Sequence, residues 1–102
     1  MQVERPAPLL ILRYNLTMYY VYVLKHSITG QIYIGCSKDL KKRITEHNRG
    51  DTVATHRKEG IWKIVYAEIY GSKIDAQKRE NRLKNHGRAK QELIKRIENS
   101  LL

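Results

Sequence analysis

The sequence predicts an α+β domain in which a small three-stranded antiparallel sheet is flanked by helices, in the order β-β-α-β-α-α. Two β-branched and aromatic runs, residues 19–25 and 31–35, are separated by turn residues from Ser27 to Gly30 and predict a β-hairpin. Residues 61–70 have a similar composition and predict a third strand. A chain of 102 residues suits one small domain, on which an active site is expected to be a shallow cleft.

The first helix is predicted after the hairpin, where Asp39 can cap its N-terminus and Gly50 can end it. Its apolar and functional side chains recur at helical spacing, at Leu40, Arg43, Ile44 and His47. Residues 51–60 show no periodicity and are expected to form a mobile basic loop.

The third strand is expected to alternate strictly, with Trp62, Ile64 and Tyr66 on one face and Val65 and Ala67 on the other.

The last third of the chain predicts two helices. Ser72 to Asp75 has the form of a capping box and begins a helix that reaches about residue 85. His86 and Gly87 end that helix, and residues 89–99 predict the last one, with Leu93, Ile94 and Ile97 on its apolar face.

The chain is strongly basic. Twenty lysines and arginines stand against ten acidic residues, so the formal net charge is +10, and the excess is spread along the chain. A polyanion, above all nucleic acid, is the partner that such a surface favours; a basic surface that serves only solubility is the alternative. Seven tyrosines with no phenylalanine favour the first interpretation, because these rings carry hydroxyl groups.

The cysteine and histidine residues indicate the redox setting of the protein and bear on whether it binds zinc. Cys36 is the only cysteine, which predicts a reducing, cytoplasmic setting and a thiol that packs as a small apolar group. The four histidines are dispersed, which argues against a zinc site: His26, His47, His56 and His86.

The N-terminal segment differs in character from the rest. The apolar run from Leu9 to Leu12 is too short to span a membrane, and no targeting signal follows it. Residues 1–17 are expected to be an extension with little structure, ahead of a domain at residues 18–98 and a tail at residues 99–102. In this interpretation Met18 is the natural start.

Three polar residues fall on helix faces that should meet the sheet. Arg43 and His47 are four residues apart and are expected at the margin of a buried stripe, where catalytic groups often lie. The alternatives are a solvated Arg43 and a His47 that only packs. Glu80 falls among the inward-facing positions of its helix, where its partner is either Lys84, four residues on, or a divalent cation.

Four segments, in this order and spacing, resemble the GIY-YIG nuclease superfamily, which includes the N-terminal nuclease domain of a bacterial repair excinuclease and small stand-alone proteins. They are Tyr20-Val21-Tyr22-Val23-Leu24, Tyr33-Ile34-Gly35, Asp39-Leu40-Lys41-Lys42-Arg43 with His47 four residues on, and Ala76-Gln77-Lys78-Arg79-Glu80. The resemblance covers about residues 18–98. It departs from the family at the Gly-Ile of the first motif, at Cys36, which stands where the excinuclease domain has lysine, and at a late asparagine without a counterpart.

The resemblance implies metal-assisted hydrolysis of phosphodiester bonds. Glu80 would hold one Mg²⁺, with Mn²⁺ as the other candidate, and Arg43 would neutralise charge on the phosphoryl oxygens. Tyr22 and Tyr33, taken as a pair, would help to deprotonate the attacking water, and His47 would assist. A phenol with a pKa of about 10 serves as a base near neutrality only if its surroundings lower that value.

The expected partner is nucleic acid, most of all DNA, with a protein partner as a source of specificity. Candidate nucleic-acid contacts are Gly35, Lys38, Lys42, Arg49, His56, Arg57 and Lys84. Two functions are consistent with the sequence. One is a structure-selective endonuclease linked to DNA repair or recombination, and the other is a catalytically weak nucleic-acid-binding accessory module.

Overall fold

The computed structural model describes residues 17–50 and 59–102. Within these ranges it contains three strands: β1 (Tyr19–His26), β2 (Ile32–Ser37) and β3 (Trp62–Tyr70). They form one antiparallel sheet in the order β2-β1-β3, so β1 is central and β2 and β3 are its edges. The predicted sheet and hairpin are therefore confirmed. The predicted extension up to residue 16 and most of the predicted basic loop, residues 51–58, lie outside the described residues.

Three helices follow in the predicted order: α1 (Leu40–Arg49), α2 (Lys73–Asn85) and α3 (Gly87–Arg96). The Asp39 carboxylate caps α1 by accepting from the Lys42 amide, and Gly50 ends it with a left-handed φ of 76°. The Ser72 hydroxyl caps α2 as predicted. The bounds predicted for the last helix were wrong, because α3 begins two residues earlier, at Gly87, and gives way to turns after Arg96.

The two faces of the sheet bury two separate apolar cores. Alternate residues of β1 point to opposite faces. Val21 and Val23 pack with Ala76, Leu83 and other residues beneath α2 and α3. On the opposite face, Tyr22, Leu24 and Trp62 pack beneath α1. The candidate site residues of α1 therefore lie on a different side of the sheet from those of α2.

The strict alternation expected for the third strand was wrong. Leu24 lies opposite Ile64, but Val23 lies opposite Tyr66, so Val65 is an extra residue in β3. This bulge moves Tyr66 to the face of Val23, while Trp62 and Ile64 remain on the other face. Side-chain periodicity does not reveal such an insertion, because Val65 and Tyr66 are both compatible with a strand.

The C-terminal turns return to the sheet. Leu101 packs against the core beneath α2 and α3, and its carbonyl accepts from the Lys25 ammonium. Within the described ranges, no helix has the length and apolar character needed to cross a bilayer.

Candidate active site

Two tyrosines, one on each strand of the hairpin, lie on the face of the sheet that α1 covers. Gly35 lies directly opposite Tyr22, and Tyr33 lies directly opposite Leu24. The centres of the Tyr22 and Tyr33 rings are 6.3 Å apart, and the Tyr33 ring centre is 4.7 Å from that of His47. The sequence thus brings both phenols and the predicted imidazole into one cluster.

Tyr22 lies between His47 and Arg43. The Tyr22 hydroxyl is hydrogen-bonded to His47 Nε2 at 3.0 Å, and the Arg43 guanidinium lies near enough to the same hydroxyl to act on its pKa. A guanidinium only donates, so Tyr22 meets Arg43 as an acceptor. Arg43 is held from its other side by Glu46 at 3.1 Å.

Burial is the main influence on the protonation of Tyr22 and His47. Burial raises the pKa of Tyr22 from 10.0 to about 12, although the hydrogen bond from Arg43 acts in the opposite direction. Burial, and then the positive charge of Arg43, lower the pKa of His47 below 6.5. At neutral pH both Tyr22 and His47 are therefore uncharged.

The expected position of His47 at the margin of the buried stripe was wrong, because its side chain is fully buried, with 1% exposure. Tyr22 is equally buried at 1%, whereas Tyr33 is partly exposed and the Arg43 side chain is 36% exposed. Tyr33 and Arg43 are thus the members of the cluster that a substrate can reach directly.

Glu80 approaches from the opposite face of the sheet. It lies on α2 beside Cys36, and its carboxylate pairs with the Lys84 ammonium at 3.1 Å. Lys84 in turn lies 5.6 Å from the centre of the Tyr33 ring, on the far side of β2. Lys84 therefore links Glu80 to the tyrosine cluster around the exposed edge of β2.

Two open grooves of about 340 Å³ each flank this edge. One contains Glu80, Gln77 and Lys73, and the other contains Arg43, Lys42 and Asp39. Cys36, Ser37 and Lys38 line both grooves. The end of β2 is therefore a ridge with the predicted metal ligand on one side and the predicted catalytic arginine on the other.

Comparison with known proteins decides the family. The model of the GIY-YIG catalytic domain matches residues 18–93. The chain belongs to the GIY-YIG family. GIY-YIG domains are nuclease domains that act on nucleic acid and generally depend on a divalent metal ion.

Small GIY-YIG relatives share most of the chain. A UPF0213 protein of Staphylococcus aureus is 37% identical over 72 residues, which are 71% of this chain and 87% of that protein. The UPF0213 protein of Staphylococcus saprophyticus is 35% identical over the same shares of the two chains. The solution NMR structure of the UPF0213 protein from Bacillus halodurans is 30% identical and has a TM-score of 0.47, with 76% of this chain and 81% of that chain covered.

The fit of a GIY-YIG metal ion to this chain rests on one carboxylate. Among residues 17–50 and 59–102, no group of three or more His, Cys, Asp or Glu side chains could hold a metal. The Glu80 carboxylate offers hard oxygen atoms to an open groove, and such a group would suit Mg²⁺, because Mg²⁺ retains several waters and accepts substrate phosphates as ligands. Burial and the nearby charge of Glu80 raise the pKa of the Cys36 thiol, which disfavours its thiolate form.

The predicted nucleic-acid contacts lie in different places. Lys38 and Lys42 line the groove of Arg43, and Lys84 is held between Glu80 and Tyr33. Gly35 is covered by the Tyr22 phenol, which leaves its Cα without access to a ligand on that side. Arg49 closes α1. His56 and Arg57 lie outside the described residues.

Two residues of this GIY-YIG domain were missed by the sequence analysis. The Asn48 side chain accepts from the Trp62 amide at 2.6 Å and donates to the Trp62 carbonyl at 3.1 Å, which fixes α1 to β3. Glu68 accepts hydrogen bonds from Tyr66, Tyr70 and Arg79. Asn48 has no local sequence signal, because only the fold brings Trp62 to it. Tyr66, Glu68 and Tyr70 alternate along β3 and do form a local pattern, but Arg79 is brought to them by the fold.

Proposed function

We propose that this chain is a metal-dependent endonuclease that hydrolyses phosphodiester bonds in DNA. One observation carries the proposal. Arg43 and Glu80 reach the edge of β2 from opposite faces of the sheet, with Lys84 over Tyr33 linking the two sides. A phosphodiester placed across this edge would meet a cation, a phenol and a carboxylate together.

Arg43 is assigned to the phosphoryl oxygens. Its guanidinium is partly exposed, yet it is held by the Tyr22 hydroxyl and by Glu46 at 3.1 Å. A donor that is fixed before the substrate arrives stabilises developing negative charge without reorganisation, and loss of such a donor costs about 10²–10³-fold in kcat.

Tyr33 is assigned to the attacking water, because it is the accessible phenol of the pair. Tyr22 is buried, its pKa is raised to about 12, and its hydroxyl is hydrogen-bonded to His47 Nε2. Its role in this proposal is to hold Arg43, with neutral His47 as the acceptor that orients the Tyr22 hydroxyl.

Glu80 is assigned to the metal ion. When bound there, Mg²⁺ or Mn²⁺ would polarise the scissile phosphate and stabilise the leaving oxygen. Lys84 pairs with the carboxylate at 3.1 Å and would give up or share this contact on metal binding.

The substrate is proposed to be recognised by its shape. Lys38 and Lys42 border the groove of Arg43, and phosphate contacts of this kind fix a nucleic acid without reading its sequence. A flapped, branched or single-stranded DNA would fit this mode, as would a role in DNA repair with a protein partner that supplies specificity. The cytoplasmic setting rests on the lone Cys36.

The ion pair between Glu80 and Lys84 favours a second candidate function. A carboxylate that is already neutralised by a lysine matches a catalytically weak module that only binds nucleic acid. The two functions differ in whether Glu80 is needed for metal-dependent chemistry.

The deciding experiment incubates the purified chain with labelled single-stranded, duplex, flap and branched DNA in Mg²⁺, Mn²⁺ or EDTA. The variants are Glu80→Gln and Arg43→Ala, with Glu98→Gln as a control, because Glu98 is exposed and lines neither groove beside β2. Cleavage that requires metal, disappears in both variants and persists in the control supports the nuclease. Binding without cleavage in every condition supports the accessory module.

A further inference from the structure

A large groove lies away from the candidate active site. It has a volume of about 590 Å³, lies between α2 and α3, and is lined mainly by cationic side chains. The residues used below are Arg79, Arg82, His86, Arg88, Glu92 and Arg96.

Helix geometry separates this arginine groove from Glu80. Successive residues of a helix are rotated by about 100°, so Arg79, Arg82 and His86 share one flank of α2. Glu80 and Lys84 share the other flank, and the buried Ala76 and Leu83 lie between the two. One helix therefore presents the metal candidate on one flank and an arginine row on another.

The charges of the arginine groove are only partly neutralised. Arg79 is held by Glu68 at 2.9 Å, and Arg88 pairs with Glu92 at 3.2 Å in an exposed contact. Arg82 and Arg96 have no carboxylate partner among the described residues. Two guanidinium groups thus face one groove with their charge uncompensated.

The N-terminus of α3 adds donors at the same place. Its N-cap residue, His86, makes no side-chain capping bond, and the first turn, which begins at Gly87 and Arg88, contains no acidic residue. The first amides of a helix have no acceptor within the helix, and the helix dipole favours an anion there. The amides and the arginine forks both suit phosphate oxygens.

We propose that the arginine groove binds the phosphodiester backbone of a nucleic acid at a point remote from the scissile bond. This inference rests on the proposed function for its ligand, but it assigns a second contact site with a separate binding surface. A DNA bound across both flanks of α2 is held at two positions, and the groove then contributes to affinity and to the choice of substrate shape.

The test compares two double variants of equal charge. Arg82→Glu with Arg96→Glu reverses the uncompensated charges of the groove. Lys63→Glu with Lys95→Glu makes the same change in net charge at two exposed lysines outside it. Binding of a fluorescein-labelled branched DNA is measured by anisotropy in EDTA over a range of salt concentrations, and circular dichroism checks that both variants are folded.

The groove variant is expected to bind the DNA at least about tenfold more weakly than the control. The slope of the logarithm of the association constant against the logarithm of the salt concentration is expected to become smaller in magnitude by about 2. Equal binding by the two variants would overturn the proposal, as would an unchanged salt slope in the groove variant. Amide NMR of the wild-type chain supplies a second readout, in which DNA is expected to shift the Gly87 and Arg88 resonances.

The experiment separates this proposal from the nuclease assignment. DNA binding in EDTA needs no cleavage, so a chain that binds through the groove but never cuts overturns only the nuclease. A groove variant that matches the control in binding, in a chain that cuts with metal, overturns only the second contact site.

Discussion

The Tyr22 phenol occupies the space that a side chain at position 35 would need. A Cβ built on Gly35 would lie 2.4 Å from the Tyr22 hydroxyl oxygen and 2.5 Å from Cζ of the ring. The two residues are direct neighbours across the hairpin. The glycine of the second family motif is thus required in this chain by the tyrosine of the first.

Gly35→Ala is expected to destabilise the fold by about 1–3 kcal/mol, because the extra methyl group must displace a buried ring. Urea denaturation measures the change. Gly71→Ala is the matched control, since a Cβ at position 71 meets no atom within 4 Å. Equal urea midpoints for the two variants would show that the Tyr22 ring can move aside at no cost in stability.

Acidification is expected to destabilise the protein through His47. The pKa of His47 is lowered in the folded state, so below about pH 6.5 the unfolded chain binds the proton more readily than the folded chain. The free energy of unfolding therefore decreases as the pH is lowered. Urea midpoints at about pH 7.5 and about pH 5.5 measure this loss, and His47→Gln is expected to make it smaller. An identical pH dependence in the variant would contradict the assignment to His47.

Asn48→Ala is expected to cost about 1–3 kcal/mol of stability, because it removes both hydrogen bonds to the Trp62 backbone. Asn48→Asp retains an acceptor for the Trp62 amide but loses the donor to its carbonyl. Denaturation should therefore rank the wild type above Asn48→Asp, and Asn48→Asp above Asn48→Ala. If Asn48→Ala is as stable as the wild type, this residue does not hold α1 on β3.

Glu68→Gln is expected to destabilise by about 1–3 kcal/mol, because charge-assisted bonds from Arg79 are weakened in a partly buried cluster. Burial alone would raise the pKa of Glu68, but hydrogen bonds from Arg79, Tyr66 and Tyr70 hold it below 4.5. The carboxylate therefore stabilises the fold above that pH, and the effect is lost on further acidification.

Glu92→Gln is the control for this cluster. Its pair with Arg88 is exposed on both sides, at 92% for Arg88 and 70% for Glu92, so a change within about 0.5 kcal/mol is expected. Thermal and urea denaturation compare the two variants. Equal effects at positions 68 and 92 would show that burial adds nothing to the Glu68 cluster.

The sequence was sufficient where the signals are local. Asp39 and Ser72 cap their helices as predicted, Gly50 ends α1, and the three strands form the predicted antiparallel sheet. Each of these features depends on side-chain chemistry within a few residues or on short-range alternation.

Features that depend on distant partners could not be predicted in the same way. Helical spacing placed His47 at a margin, but the Tyr22 and Tyr33 rings on the opposing strands enclose it completely. The residues of the arginine groove all lie between positions 79 and 96, but they line one groove only because α2 and α3 pack on a shared core. The raised pKa of Tyr22 likewise follows from burial that only the packed sheet and helix create.

The extra residue at Val65 changes which face of the sheet the alternate side chains of β3 occupy. Before it, Trp62 and Ile64 close the core beneath α1 and, with Asn48, anchor the helix that presents Arg43. After it, Tyr66 and Glu68 lie on the other face. Glu68 accepts from Tyr66 and from Arg79, which lines the arginine groove. A single inserted residue thus allows a sheet of three strands to support a chemical surface and a charged surface on opposite sides, with no fourth strand.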